Sequence, residues 1–224
     1  MWCIKAAQDA AFVCQMERVL DVYKRPFDPD RPLVCMDETT KQCTKEVREP
    51  IKATSNHPER YDGEYERNGV GHLLLFYAPL ENWRTVTVAD NHTGIQWAEC
   101  VRHLLEDCYP QAERVTLVMD NLSTHAGSSL YKAFEPEHAR ALLNRLEFVF
   151  TPKHGSWLNM AECEFSVLAR QCLDRRIADP ETLAKEIDAW TCERNTSTVP
   201  ARWQFRTEDA RIKLAHLYPT VSSG

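Results

Sequence analysis

The alternation of apolar and polar positions divides the chain into helical and extended stretches. From residue 7 to 24, Ala11, Phe12, Met16, Val19, Leu20 and Tyr23 recur at helical spacing, and Pro26 and Pro29 end that stretch. This predicts one amphipathic helix that connects into the domain. Leu33 to Thr39 is a short apolar run ending in acids, a buried strand that delivers Asp37 to its C-terminal end. From Lys41 to Gly71 the chain is polar, with a strand expected near Lys45 to Ile51 and a charged, aromatic loop from Arg60 through Tyr61 to Arg67. Two strands follow, His72 to Leu80 and Trp83 to Asp90, joined by a tight turn at Glu81 and Asn82. Thr93 to Tyr109 has helical spacing with Thr93 as its N-cap, and Val115 to Met119 is a second apolar strand that ends on an acid, Asp120. Helical turns are expected at Ser128 to Phe134 and Glu137 to Arg145, then a strand at Leu146 to Phe150. Further helices are expected near Leu158 to Leu173, Pro180 to Arg194 and Thr207 to Leu217.

That order is three strands after a helix, then helix, strand, helix, strand, helix, and it matches an α/β, ribonuclease-H-like fold with a mixed central sheet flanked by helices. A chain of 224 residues with 43% hydrophobic composition suits one sizeable core. The longest apolar run, His72 to Leu80, is far shorter than the ~20 residues that span a bilayer, and the first ten residues lack the apolar stretch of a secretory leader. The expected location is therefore cytoplasmic, with no membrane partner. Nine cysteines are scattered without a CxxC pair, as small core residues in a reducing compartment would be. The net charge of −6 argues against a surface that follows phosphates everywhere. The imbalance is local, because residues 1 to 139 carry 15 Lys+Arg against 22 Asp+Glu while the remainder carries 12 against 11.

Asp37 and Asp120 both follow apolar strands, and in α/β sheets ligands gather outside the carboxyl ends of strands. Carboxylates so placed suit hard divalent cations, and two-metal phosphoryl transfer needs such ligands around a pair of ions. An acid after a strand is also commonplace in turns and helix caps. Glu162 and Glu164 open a later helix, where successive residues turn by ~100°, so only one of them can face the aspartates. Taken alone, each reads equally well as a solvated glutamate.

Three ordered blocks carry a more specific signal: Asp37 in VCMDET, Asp120 in VMDNLSTH and Glu162 in TPKHGSWLNMAE. Together they resemble the signature of the D-D-E transposases (DDE superfamily endonucleases) of the mariner superfamily, in its bacterial insertion-sequence branch. The resemblance extends over YERNG and QCLDRRIADPETL, though the interval from Asp120 to Glu162 exceeds the family's usual one, through extra helix around Phe134 to Leu146. It implies that Asp37, Asp120 and Glu162 are catalytic and hold two Mg²⁺ or Mn²⁺ ions, converging on shared metal positions; because the helix presents only one glutamate to the site, Glu164→Gln is expected to affect cleavage mildly. It implies DNA as partner, both transposon ends and target, with a TA preference at the target and a homo-oligomer in a synaptic complex. The resulting division is a connector over 1–30, a catalytic domain over 31–195 and a helical extension over 196–224.

Asn121, His125 and His154 fall in the same blocks, and the resemblance places them at the rim of the site; each is otherwise an ordinary surface or capping residue. Lys153, Arg170, Arg175 and Arg176, with Arg60, Tyr65 and Arg67, are candidate DNA contacts, although cations on such a chain are commonly just solvated. Trp157 suits the core better than a base-stacking platform, and Cys35 and Cys163 flank the acids without facing them. Two other readings stay open: a remnant that binds DNA or oligomerises without cutting, and a ribonuclease H-type nuclease on the same fold. The family also carries helix-turn-helix modules ahead of this region. With only about thirty residues of connector before the catalytic domain, this stretch is expected to bind DNA through phosphates, not to find specific ends.

Overall fold

In the computed structural model, which describes residues 8–49, 51–58, 60, 62–122, 124–197 and 199–220, five strands form one mixed sheet in the order β3-β2-β1-β4-β5. Strands β1 (Leu33–Glu46), β2 (Tyr65–Ala78) and β3 (Trp83–Ala89) run antiparallel, whereas β4 (Val115–Met119) and β5 (Leu146–Phe150) run parallel to β1. Ala7 and Tyr61, on which two of the sequence expectations fall, lie outside the described residues.

The sheet carries a core on each face because strand side chains alternate. Odd-numbered positions of β1 and β2, including Leu33, Cys35, Leu73 and Leu75, pack with Val118 and Val149 against helices α1 (Ala10–Tyr23), α5 (Met160–Leu168), α6 (Pro180–Arg194) and α7 (Thr207–Lys213). The even-numbered Val34, Met36, Leu74 and Phe76 pack with Leu117 and Met119 against α2 (Gly94–His103), α3 (Gly127–Ala133) and α4 (Pro136–Asn144). This is the ribonuclease-H-like arrangement that the order of elements implies.

Helix α1 does more than connect. Phe12, Met16, Val19, Leu20 and Tyr23 are buried in the first core, Asp9 caps the helix by accepting from the Phe12 N–H, and Tyr23 reaches the start of α5. Full burial of such side chains is worth roughly 1.5–3 kcal/mol each. Thr93 caps α2 as its position implies, and a π-helical turn, Leu104–Cys108, extends it. Helix α5 likewise runs on through a π-helical turn, Ala169–Leu173.

Two expectations need correction. β1 does not stop at Thr39 and restart near Lys45; it is one strand of 14 residues with an irregularity between Gln42 and Thr44. Tyr65 to Arg67 are not loop but the start of β2, paired with Glu46, Lys45 and Thr44. The first six residues of β2 are exposed, so that half of the β1–β2 ribbon buries too little apolar surface to produce an alternating pattern. Among the described residues, no helix is long and apolar enough to cross a membrane, and the eight described cysteines are free thiols.

Candidate active site

Parallel pairing of β1 with β4 ends at Cys35 opposite Val118. Continued two residues, the same register sets Asp37 opposite Asp120, just where the strands part. Cys35 and Val118 face the core beneath α1 and α5, so the period of two turns both aspartates toward the face that carries α5. Glu162 comes from the first turn of that helix, where the unpaired N–H groups favour a carboxylate. Asp37 and Glu162 share the wall of a cavity of about 390 Å³ together with Glu38, Thr39, Cys163, Phe165 and Ser166.

The start of α5 is tied to β1 and α1 by side chains buried in the interior. Asn159 caps the helix by accepting from the Ala161 N–H (3.1 Å), and its amide donates to the Met36 carbonyl (2.8 Å), one residue before Asp37. The Tyr23 hydroxyl donates to the Leu158 carbonyl (2.7 Å) and accepts from the Met160 N–H (3.3 Å). Upstream, Gly155 is needed because a Cβ there would stand 2.5 Å from Pro152 Cγ and 3.0 Å from the Pro152 carbonyl oxygen. His154 before it has a left-handed backbone, φ 66°.

The electrostatics are short of positive charge. Burial, then the nearby charges of Glu162 and Asp120, push the Asp37 carboxyl up to about 7, against the pull of the Glu38 N–H and His125. The Glu38 N–H donates to Asp37 Oδ1 (2.8 Å). His125, 1% exposed, bridges two acids: Nδ1 lies 2.7 Å from Asp120 Oδ1 and Nε2 lies 3.3 Å from Glu38 Oε2. Burial opposes its charged form, but the two carboxylates outweigh that and raise its pKa. The ring stacks on buried Trp97, with centroids 6.0 Å apart. Among the described residues, His125 is the one cationic side chain in ion-pair contact with Asp37, Asp120 or Glu162.

The three acids are therefore neighbours, but they do not form a finished cage. Among the described residues, no three His, Cys, Asp or Glu side chains are gathered closely enough to hold a metal ion. The donor set, oxygen only and negatively charged, still fits a hard divalent cation.

Glu164 overturns its reading as a solvated glutamate. It is 4% exposed, with Oε1 2.9 Å from Nε of the fully buried Arg84 and 3.3 Å from an Arg194 terminal nitrogen. The Arg84 contact is a charge contact without hydrogen-bond alignment, and the rest of its guanidinium is held by Asn195 Oδ1 (3.1 Å) and Asn82 Oδ1 (2.6 Å). Cys35 is buried and its thiol is pushed up to about 12, which suits packing and not nucleophilic chemistry.

The supporting candidates divide. His125 touches Asp120, whereas Asn121 and His154 are exposed and hydrogen-bond to none of the three acids among the described residues. Arg170 lines a cavity of about 570 Å³ with Thr39, Lys41, Phe165 and Ser166, and Thr39, Phe165 and Ser166 also line the one at Glu162. Lys153 is exposed. Arg175 pairs with Glu186, and Arg176 pairs with Glu46 (2.7 Å) over the Tyr65 ring (5.4 Å), so these two are already committed within the chain. Arg60 sits in a small hairpin opposite Ile51, and Arg67 is exposed on β2. Trp157 packs against the first core, edge-on to Phe205 at 5.9 Å. Glu38, Asn159 and Tyr23 escaped the sequence reading. Asn159 was legible, because a capping residue three before Glu162 is a helix-start signature, whereas nothing local marks Tyr23.

Residues 32–184 match the family model described as DDE superfamily endonuclease. A search of curated proteins found no match. Among solved structures, the Mos1 mariner paired-end complex with Mn is similar at TM-score 0.52 and 16% identity, over 86% of this chain and 60% of that one. The paired-end complex with Mg gives TM-score 0.57 and 16% identity, over 98% and 66%. The catalytic domain of Mos1 mariner transposase alone gives 0.52 and 15%, over 85% of each chain. Against the first of these, the chain spans about three fifths of its relative's length. The family match covers well over half of the chain: the chain belongs to the DDE superfamily endonucleases.

Proposed function

We propose that this chain is the catalytic part of a DNA transposase, cleaving and joining DNA strands with Asp37, Asp120 and Glu162. The observation that carries the reading is the β1–β4 register, which sets two aspartates side by side on the face from which α5 presents Glu162. The upward-shifted Asp37 carboxyl supports it, because a buried acid among other acids marks a place built to receive positive charge. Two Mg²⁺ or Mn²⁺ ions, held by these three carboxylates, would supply the charge stabilisation of two-metal phosphoryl transfer. His125 holds Asp120 in place, the Glu38 N–H orients Asp37, and Asn159 fixes Glu162 relative to both. Arg170 offsets phosphate charge along the groove beside α5, and exposed Lys153 is a second phosphate contact.

The partners in this reading are transposon ends, target DNA and a second copy of the chain, in the cytoplasm. The Mos1 structures that resemble it include a paired-end complex and a strand transfer complex. Supercoiled plasmid incubated with the protein and Mn²⁺ should be nicked, and Asp37→Asn or Glu162→Gln should lower the rate by at least about a thousandfold while the fold persists. DNA binding without nicking in the wild type would favour the inactive remnant. Faster cutting of an RNA/DNA hybrid than of duplex DNA would favour the ribonuclease H-type reading.

A further inference from the structure

A further cavity lies away from the acids. It measures about 670 Å³ and is walled by the end of α1, the β2–β3 turn at Leu80 and the segment from Pro200 to Arg206. Lys24, Arg25, Arg202 and Arg206 line it and no acidic residue does, in a chain whose net charge is −6. Lys24 and Arg25 are paired with Glu208 and Glu147, whereas Arg202 and Arg206 are exposed and form no ion pair among the described residues. Aromatic faces interleave the cations: Phe27 is 52% exposed, and Trp203, whose buried indole N–H lacks an acceptor, stands 5.2 Å from the Tyr23 ring.

We propose that this groove binds an unpaired nucleotide of a DNA strand, with the phosphates on Arg202 and Arg206 and the base on Phe27. The inference rests on the transposase reading for its choice of polymer. A cavity of this size belongs to the range of about 300–1,000 Å³ that encloses single small molecules, and a duplex is too wide to enter it. Cations that follow the backbone, with aromatic faces for the bases, are the means by which proteins hold single strands. Tyr23 forms part of the wall and also anchors the start of α5, so the strand would lie next to the helix that carries Glu162.

Anisotropy of a short labelled oligothymidylate, titrated with the full chain across a salt series, tests this. The double variant Arg202→Ala/Arg206→Ala should bind at least about tenfold more weakly, and its dependence on log salt should flatten by about 1.4, two contacts at about 0.7 each. Phe27→Ala should weaken binding at least about fivefold with the salt dependence unchanged. A duplex of equal length should lose much less with either variant. Wild-type affinity and slope in both variants, or an equal loss for duplex, would overturn the assignment. So would a change in the self-association of the double variant in place of a change in DNA affinity. Asp37→Asn should bind the oligonucleotide as the wild type does; intact single-strand binding by a wild type that never nicks plasmid would sink the catalytic reading and leave this one standing.

Discussion

Asp37 is a carboxyl that folding makes harder to ionise. Its ordinary value of 3.8 rises to about 7 in the folded chain, so the stability tied to its protonated form is complete below about pH 3.8 and lost as pH rises through about 7. His125 acts with the same sign, since its folded value lies above its ordinary 6.5 and its contribution also fades as pH rises through that folded value. The metal-free protein should therefore melt at lower temperature at about pH 8 than at about pH 5.5. Asp37→Asn should show a shallower decline, and Mn²⁺ at about pH 8 should raise the melting temperature of the wild type more than that of the variant. Equal slopes for the two proteins, read by differential scanning calorimetry, would remove Asp37 as the source. Glu164 is tied into the fold through Arg84. Glu164→Gln leaves the buried Arg84 with no carboxylate in contact, which costs about 3–5 kcal/mol when a buried pair is broken from one side. Glu162→Gln should leave the urea midpoint near that of the wild type. A Glu164→Gln protein with an unchanged midpoint would contradict this account of Arg84.

At the scale of the element, activity depends on where α5 begins. Asn159→Ala removes a helix cap, worth roughly 1 kcal/mol, together with the bond to the Met36 carbonyl that sets the helix against β1. We expect modest destabilisation in urea and a fall in nicking rate of at least about tenfold at saturating Mn²⁺; a rate that drops only as far as the folded fraction does would reduce Asn159 to a cap. The elements on which this depends were largely legible in the sequence. The apolar runs before Asp37 and Asp120, the capping residues Thr93 and Asn159 and the spacing of α6 are local features with strong physical causes. What stayed hidden was non-local. In the outer half of the β1–β2 ribbon the β2 residues are exposed and Cys43 is the one fully buried β1 position, so the strands are specified more by pairing than by burial. The role of Glu164 depends on an arginine 80 positions earlier in the chain, and no spacing rule links the two.

Over the whole molecule, the first and last described segments close on each other. The Asp9 N–H donates to the Leu217 carbonyl (2.9 Å), Arg211 pairs with Glu17 (2.8 Å), and Thr207 Oγ1 bonds Asp21 (3.0 Å). Phe12, Met16, Ala210 and Leu217 share one core with residues of α5 and α6. The helix read from the sequence as a connector therefore folds with the sheet. Urea unfolding should be a single transition, with tryptophan fluorescence and far-ultraviolet circular dichroism coinciding. An early separate loss of helix would show α1 and α7 to be an appendage.

That closure also makes the segment from Gln8 to Thr220 nearly a ring. The Gln8 amide donates to Thr220 Oγ1 at 2.8 Å, so in a segment cut to residues 8–220 a few added residues could join Thr220 to Gln8 without disturbing what lies between. New ends could then open at the exposed turn between Thr54 and His57, at the tip of a small hairpin outside both cores. Such a permutant should keep its melting temperature within a few degrees of the parent and retain the β1–β4 neighbourhood of Asp37 and Asp120. In topological terms, the positions of the acids are a property of the closed loop and not of where reading along it starts.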